Sequence, residues 1–121
     1  VVGPSGEILS RAHNRPISEN DPTAHAEILA LRKAAKKIGN YRLEGCRLVV
    51  TNEPCPMCAG AAVHARVAEI IYGADDPKTG AVRSLYRIAS DPRLNHRVYV
   101  ISGVLVEECS ALLKEFFRSR R

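Results

Sequence analysis

The sequence is poor in aromatic residues: it has no tryptophan, four tyrosines and two phenylalanines. Proteins that bind single-stranded nucleic acid without sequence preference stack successive bases on several aromatic side chains, so this composition argues against a generic stacking platform. No apolar run approaches the roughly 18 residues that a membrane-spanning helix requires, and no signal peptide is recognisable. Eight glycines and seven prolines are too few for a collagen-like or low-complexity chain.

The length and composition are those of a single globular domain. The 121 residues are 45% hydrophobic and 26% charged, which suffices to build a core without disulfide bonds. We therefore expect one domain that spans residues 1–121. Because the chain begins with Val1 and not with Met, we also expect that its natural N-terminus is missing or processed.

The charge is unbalanced towards basic residues, with 18 lysines and arginines against 13 acidic residues and a net charge of +5. Thirteen of the 18 basic residues are arginine, whose planar guanidinium pairs with phosphate through two parallel hydrogen bonds. The balance favours a polyanionic partner, although a solvated basic surface is an equal alternative on charge alone.

Strand and helix patterns alternate along the chain. The β-rich runs predict strands at residues 7–13, 47–51, 69–72 and 98–101. Apolar residues at helical spacing predict helices at 24–38, 56–66 and 106–117, the first ended by Gly39. Residues 75–80 are predicted to form a loop. This alternation predicts the α/β class, a sheet covered by helices.

Two of the four cysteines, Cys55 and Cys58, form a C-x-x-C pair. Without a sign of secretion, this spacing indicates metal binding or redox chemistry. Two residues three apart at a helix start share one face, and the helix N-terminus is expected to lower the pKa of their thiols. Taken alone, the pair is also compatible with half of a structural zinc site or with two core cysteines. Cys46 and Cys109 have no motif partner and are predicted to be small core residues.

His25 and Glu27 extend this pair to a catalytic pattern. Three zinc ligands, His25, Cys55 and Cys58, leave the fourth tetrahedral position open, as in catalytic zinc sites. Zinc lowers the pKa of its bound water to about 7. Glu27 is then predicted to act as general acid and base that moves a proton from this water to the substrate. The order H-x-E…P-C-x-x-C is the known signature of zinc nucleobase deaminases.

Sequence runs that extend well beyond the metal motif narrow this interpretation to one family. They are Asn14–Ile17, Asp21–Ile28, Glu53–Gly60, Lys78–Gly80, Asn95–Val98 and Phe116–Arg118. With these runs in this order, the sequence resembles the bacterial tRNA-specific adenosine deaminases over nearly its whole length. The metal motif alone would also fit cytidine, deoxycytidylate, guanine or riboflavin-pathway deaminases.

The resemblance implies a cytidine-deaminase-like fold, a three-layer α/β/α arrangement with a mixed five-stranded sheet. The family's N-terminal helix and most of its first strand are expected to be missing from this chain. The implied activity is zinc-dependent hydrolytic deamination of the wobble adenosine in a tRNA anticodon to inosine, typically in arginine tRNA with anticodon ACG. The resemblance also implies one Zn²⁺ per subunit, a cytoplasmic homodimer that is not bound to membranes, and a tRNA anticodon stem-loop as partner.

Several residues are assigned by the same resemblance. Zinc would be held by His25, Cys55 and Cys58, with Glu27 as the proton shuttle. The expected substrate-binding residues are Asn14, Ala26, Pro54, Asp76 and Lys78. Of these, Asp76 is expected to accept a hydrogen bond from a ribose hydroxyl and Lys78 to meet a phosphate, with a solvated turn as the alternative. The candidates for contact with the RNA backbone are Phe117, Arg118, Arg120 and Arg121, with a solvated helix end as the alternative.

Two other functions remain open from the sequence. A deaminase of free bases or nucleotides, such as guanine deaminase, is favoured by Asn52, which stands where the family commonly has leucine. The basic C-terminus and the family runs disfavour it. The other alternative is a zinc module without catalytic activity that binds RNA. Glu27 disfavours it, because a structural zinc site does not need a carboxylate beside its ligands.

Overall fold

The helices, and the strands after residue 46, lie close to the predicted segments. The structure, a computed structural model, describes residues 1–119. The helices of this part are α1 (Ala26–Ile38), α2 (Pro56–His64) and α3 (Val106–Ser119). The strands are β1 (Arg47–Asn52), β2 (Glu69–Ala74) and β3 (Tyr99–Ile101).

The described strands form a parallel sheet in the order β1-β2-β3. Leu48 pairs with Ile70, and Ile71 pairs with Ile101. Beyond β1, Val2 makes isolated antiparallel bridges to Ile8 and to Arg47. The α/β class is therefore confirmed, whereas the five-stranded sheet is not: residues 1–119 form three named strands. The predicted strand at 7–13 is wrong, because its only ladder contact is the bridge at Ile8.

Local signals explain why α1 and α2 begin and end where they do. Gly39 follows α1 with a φ of 72°, a left-handed conformation that glycine adopts at little cost, and its amide donates to the carbonyl of Ala35. Pro56 occupies the first turn of α2, where its missing N–H leaves no hydrogen bond unmade. Both predicted helices are confirmed, with α2 ending two residues before the predicted bound.

The core lies between the sheet and the helices. Its largest fully buried side chains include Tyr72, Leu43, Leu48 and Ile70. Each aliphatic side chain of this kind contributes about 1.5–3 kcal/mol when it leaves water. Cys46 is buried among them at 2% exposure, which confirms its predicted place in the core.

Helix α3 packs against β2 at a point of close approach. A Cβ at Gly73 would clash with the side chain of Cys109, so glycine lets the helix lie against the strand. Cys109 itself is only half-buried, and the prediction that it is a core residue is therefore only partly met. No helix in residues 1–119 is long and apolar enough to cross a bilayer.

Candidate active site

The three predicted metal ligands come together in space. His25 lies immediately before α1, Cys55 immediately before α2, and Cys58 in the first turn of α2. The Nδ1 atom of His25 is 3.6 Å from Sγ of Cys55 and 3.5 Å from Sγ of Cys58. All three donor atoms lie within 4.8 Å of one another. Two helix starts, 30 residues apart in the chain, thus converge on one cluster.

This cluster fits a tetrahedral zinc ion. Zn–S bonds of about 2.3 Å and a Zn–N bond of about 2.0–2.1 Å, at tetrahedral angles, place nitrogen and sulfur about 3.6 Å apart. The two distances from His25 agree with that spacing. Two cysteines and one histidine are also a donor set that zinc prefers, with one position left for water or substrate.

Burial dominates the electrostatics at Cys58. Burial raises the pKa of its thiol strongly, and the neighbouring charges of Glu27 and Cys55 raise it further. The expectation that the helix N-terminus lowers this pKa is therefore wrong for Cys58, because burial outweighs the helix dipole. A divalent cation between the sulfurs would lower the pKa of the Cys58 thiol, since its charge favours the thiolate form.

Glu27 lies beside the cluster in the first turn of α1. Its side chain is 8% exposed, and its charge acts on the Cys58 thiol. The carboxylate is therefore placed next to the metal ligands without being one of the three that converge on a common point. This is the arrangement that a general acid and base beside a metal requires.

Asn14 caps helix α1 from a distant part of the chain. The N-cap residue, His25, makes no side-chain cap of its own. Instead, Oδ1 of Asn14 accepts a hydrogen bond of 2.8 Å from the main-chain amide of Ala26. The bond fixes Asn14 next to His25 and Glu27, and it leaves the amide Nδ2 without a hydrogen-bond partner among residues 1–119.

A cavity of about 810 Å³ opens on this cluster, which is within the usual size of a small-molecule site. We call it the site cavity. Its polar lining residues include His13, Asn14, His25, Glu27, Asn52, Cys55 and Thr79. Its apolar lining residues include Val2, Ile8, Val49, Leu113, Phe116 and Phe117.

Glu53 holds the loop beside the site in place, a role that the sequence analysis missed. Only 2% exposed, its carboxylate accepts hydrogen bonds from the main-chain amides of residues 76, 82, 83 and 84 and from the hydroxyl of Ser84. Burial raises its pKa, but the hydrogen bonds from Ser84 and from the main chain outweigh burial and lower the pKa below the ordinary value of 4.5. Glu53 thus fastens the loop after β2 to the segment that carries Cys55.

The carboxylate of Asp76 organises the same loop. Oδ1 accepts from the amides of Lys78 and Thr79, and Oδ2 accepts from the Thr79 hydroxyl and from Nδ2 of Asn52. A carboxylate offers about four lone-pair sites, so these bonds saturate it. Burial raises the pKa of Asp76, and the hydrogen bonds led by Asn52 and Thr79 lower it overall.

Comparison with known proteins places the chain in a family. A model described as MafB19-like deaminase matches residues 1–121. The chain is 50% identical to the tRNA-specific adenosine deaminase of Haemophilus influenzae, over all of this chain and 70% of that protein. A solved structure of a tRNA:A34 deaminase, studied for A-to-I editing at the wobble position of transfer RNA, superposes with a TM-score of 0.86. It is 44% identical and is matched over 93% of this chain and 80% of that one.

The chain belongs to the tRNA-specific adenosine deaminase family. It is therefore a deaminase, as the resemblance implied, and its α/β fold is the deaminase fold. A guanine deaminase from Nitrosomonas europaea is a more distant structural neighbour. It is 29% identical with a TM-score of 0.69, over 87% of this chain and 63% of that one.

The remaining residues assigned from the tRNA-specific adenosine deaminase family differ in whether they line the site cavity, are buried or are exposed. Ala26 and Phe117 line the site cavity, and Phe117 is 63% exposed. Pro54 is fully buried, and its carbonyl accepts the amide of Ala81. The side chains of Lys78 and Arg118 are exposed, while Arg120 and Arg121 lie outside the described residues.

Proposed function

We propose that this chain deaminates the wobble adenosine of a tRNA anticodon to inosine, and that arginine tRNA with anticodon ACG is its substrate. The observation that carries the proposal is the cluster of His25, Cys55 and Cys58 with Glu27 beside it, at the wall of a cavity of nucleoside size. The relatives described above support the choice of a tRNA substrate.

The chemistry divides between one metal ion and the protein. A Zn²⁺ held by His25, Cys55 and Cys58, one per subunit, would supply Lewis acidity that makes water nucleophilic near neutral pH. The Glu27 carboxylate takes one proton from the attacking water and delivers it to the adenine ring nitrogen. It then takes the remaining proton of the added hydroxyl and delivers it to the departing amino group. Water adds at the amidine carbon and ammonia leaves, so the product carries a carbonyl oxygen.

Asn14, Ala26 and Pro54 are proposed to form the base pocket. The bond between Asn14 and the amide of Ala26 fixes the asparagine while leaving its Nδ2 available to an acceptor on the base. Pro54 contributes through its position, because its buried ring and its bonded carbonyl orient the chain just before Cys55.

The RNA outside the target base is proposed to lie along the loop after β2 and the end of α3. A ribose hydroxyl would bind Asp76 by displacing the hydroxyl of Thr79, since the carboxylate has no free lone pair. Exposed Lys78 would meet a phosphate. The candidates for contact with the RNA backbone are Phe117, Arg118, Arg120 and Arg121.

The finer points of architecture are also proposals. Residues 1–121 are proposed to form a single deaminase domain that works as a cytoplasmic homodimer. The segment at Val2 bridges antiparallel to β1 at Arg47, and the segment at Ile8 bridges antiparallel to Val2. These two segments would extend the order of the sheet, which supports the mixed five-stranded sheet of a three-layer α/β/α fold.

Guanine deamination is the second candidate. The polar Asn52 at the site cavity favours it, and so does the structural likeness to the Nitrosomonas europaea guanine deaminase. Both candidates use the same metal cluster and the same Glu27, so only the substrate distinguishes them.

The experiment is a direct comparison of substrates. Zinc-loaded protein is incubated with an arginine-tRNA anticodon stem-loop, with free guanine and with cytidine, and ammonia and inosine are measured. Inosine at the wobble position only is the expected result. Ammonia from guanine without inosine in the RNA would contradict the tRNA assignment and support the second candidate.

A further inference from the structure

Asn52 joins the sheet to the loop beside the metal cluster. Its Nδ2 donates a hydrogen bond of 3.0 Å to Oδ2 of Asp76, 24 residues further along the chain. Asn52 is the last residue of β1, and it pairs in register with Ala74, the last residue of β2. Because the two parallel strands end together, a side chain at the end of β1 reaches the loop that follows β2.

The carboxylate of Asp76 in turn holds two residues of the loop, Lys78 and Thr79. Its Oδ1 accepts from the amides of Lys78 at 3.0 Å and Thr79 at 3.1 Å, and its Oδ2 accepts from the Thr79 hydroxyl at 2.9 Å. We call residues 76–79 the carboxylate loop. The side-chain bonds of Asp76 to Lys78 and Thr79 therefore converge on the carboxylate that Asn52 holds.

The main chain of Asp76 is held by the neighbour of Asn52. Its amide donates to Oε1 of Glu53 at 3.0 Å, and its carbonyl accepts from the amide of Gly80 at 2.8 Å. Asn52 and Glu53 thus hold the same residue through its side chain and through its main chain. Without Asn52, the main chain of Asp76 would remain anchored, but its carboxylate could rotate away from the turn.

The carboxylate loop matters because it forms part of the wall of the site cavity. Asn52 and Thr79 both line that cavity, together with His25, Glu27 and Cys55. A loop that is ordered before binding spares the substrate the entropy cost of ordering it.

We propose that Asn52 is a positioning residue that holds the carboxylate loop in its binding conformation before the substrate arrives. It acts through Asp76 and does not touch the reacting atoms. The part of this proposal that concerns RNA rests on the proposed function, whereas the part that concerns the loop does not.

Two substitutions and one control test the proposal. Asn52→Leu keeps the branching at Cγ but removes the donor. Asn52→Asp keeps the shape but replaces the donor by a carboxylate that repels Asp76. Asn95→Leu is the matched control, since Asn95 is exposed and its side chain makes no hydrogen bond within residues 1–119.

The first readout is amide hydrogen exchange at Lys78 and Thr79, which needs no substrate. Loss of a hydrogen bond to a carboxylate is expected to accelerate exchange at both amides by about tenfold in Asn52→Leu and by more in Asn52→Asp. Zinc content and the melting temperature should match those of Asn95→Leu. Exchange at the wild-type rate in Asn52→Asp would overturn the proposal.

The second readout is the kinetics of inosine formation in the anticodon stem-loop. A loosened loop is expected to raise KM by about tenfold and to change kcat by less than about threefold. A fall in kcat at constant KM would overturn the positioning role. If the wild type forms no inosine, the proposed function fails, and the exchange experiment still decides the role of Asn52.

Discussion

The carboxylate of Glu53 accepts a hydrogen bond of 2.7 Å from the main-chain amide of Arg83, thirty residues further along the chain. The same carboxylate holds the amides of Asp76, Val82 and Ser84. Since Glu53 stands two residues before Cys55, the loop after β2 and a predicted zinc ligand are fastened to the same short segment. A buried carboxylate that accepts only main-chain and hydroxyl donors is well suited to this task.

We predict that Glu53→Gln destabilises the fold. One end of the glutamine amide is a donor and would face the main-chain donors that the carboxylate now accepts from. The expected loss is about 1–3 kcal/mol in the free energy of unfolding, measured by urea denaturation at neutral pH. Glu44→Gln is the control: Glu44 is exposed, its ion pair with Arg42 is 3.8 Å long, and the change should be within about 0.5 kcal/mol.

The effect of Glu53→Gln should depend on pH. The folded pKa of Glu53 lies below its ordinary value of 4.5, so the ionised group contributes stability that is fully present above that value. This contribution is lost as the pH falls through the folded pKa. The difference between the wild type and Glu53→Gln should therefore be largest at neutral pH and shrink below pH 4.5. A difference that grows on acidification would contradict the assignment.

Gly80 and Gly60 are predicted to respond to alanine in opposite directions. A Cβ at Gly80 would clash with the Glu53 carboxyl group and would lie 2.5 Å from the carbonyl oxygen of Asp76. Gly60 lies in helix α2, and a Cβ added there would meet no atom within 4 Å, so alanine should stabilise by about 0.5–1 kcal/mol. Thermal unfolding should show a lower melting temperature for Gly80→Ala and a higher one for Gly60→Ala.

The two roles assigned to Asn14 can be separated by mutation. Asn14→Ala removes the acceptor that caps Ala26 and should cost about 0.5–2 kcal/mol of stability. Asn14→Asp keeps an acceptor at this helix start, so its stability should stay near that of the wild type. Its turnover should still fall, because the Nδ2 donor is gone. Full activity in Asn14→Asp would refute a role for that donor in the base pocket.

The basic C-terminus is predicted to affect how strongly tRNA binding depends on salt concentration. Each phosphate contact contributes to the slope of the logarithm of affinity against the logarithm of salt concentration. Replacing both Arg120 and Arg121 by alanine should weaken binding to the tRNA stem-loop and reduce that slope by about 1.5, measured by filter binding across a salt series. An unchanged slope would mean that these arginines do not contact phosphates of the RNA.

The metal cluster and most elements can be predicted because their signals are local. Gly39 and Pro56 mark helix ends through their own backbone chemistry, and the spacing of Cys55 and Cys58 places both thiols on one helix face. The strand prediction for residues 7–13 is wrong because this segment finds a pairing partner only at Ile8. Whether such a segment enters a sheet depends on tertiary pairing and not on its own pattern.

The roles of Glu53 and Asn52 could not be predicted from the sequence, for a different reason. Their partners lie between 23 and 31 residues away, and no periodicity connects them. The raised pKa at Cys58 is equally hidden, because burial is a property of the assembled core. The sequence does indicate that Asp76 is important, but its bonds to Lys78 and Thr79 exist only once the turn is formed.

The central claim is that Glu27 moves protons beside a zinc ion held by His25, Cys55 and Cys58. The most direct test measures zinc content and single-turnover inosine formation for zinc-loaded wild type and Glu27→Ala on the same anticodon stem-loop. We predict equal zinc content and a rate that falls by about 10²–10⁴-fold or more in the variant. Turnover at the wild-type rate with zinc retained would contradict the account.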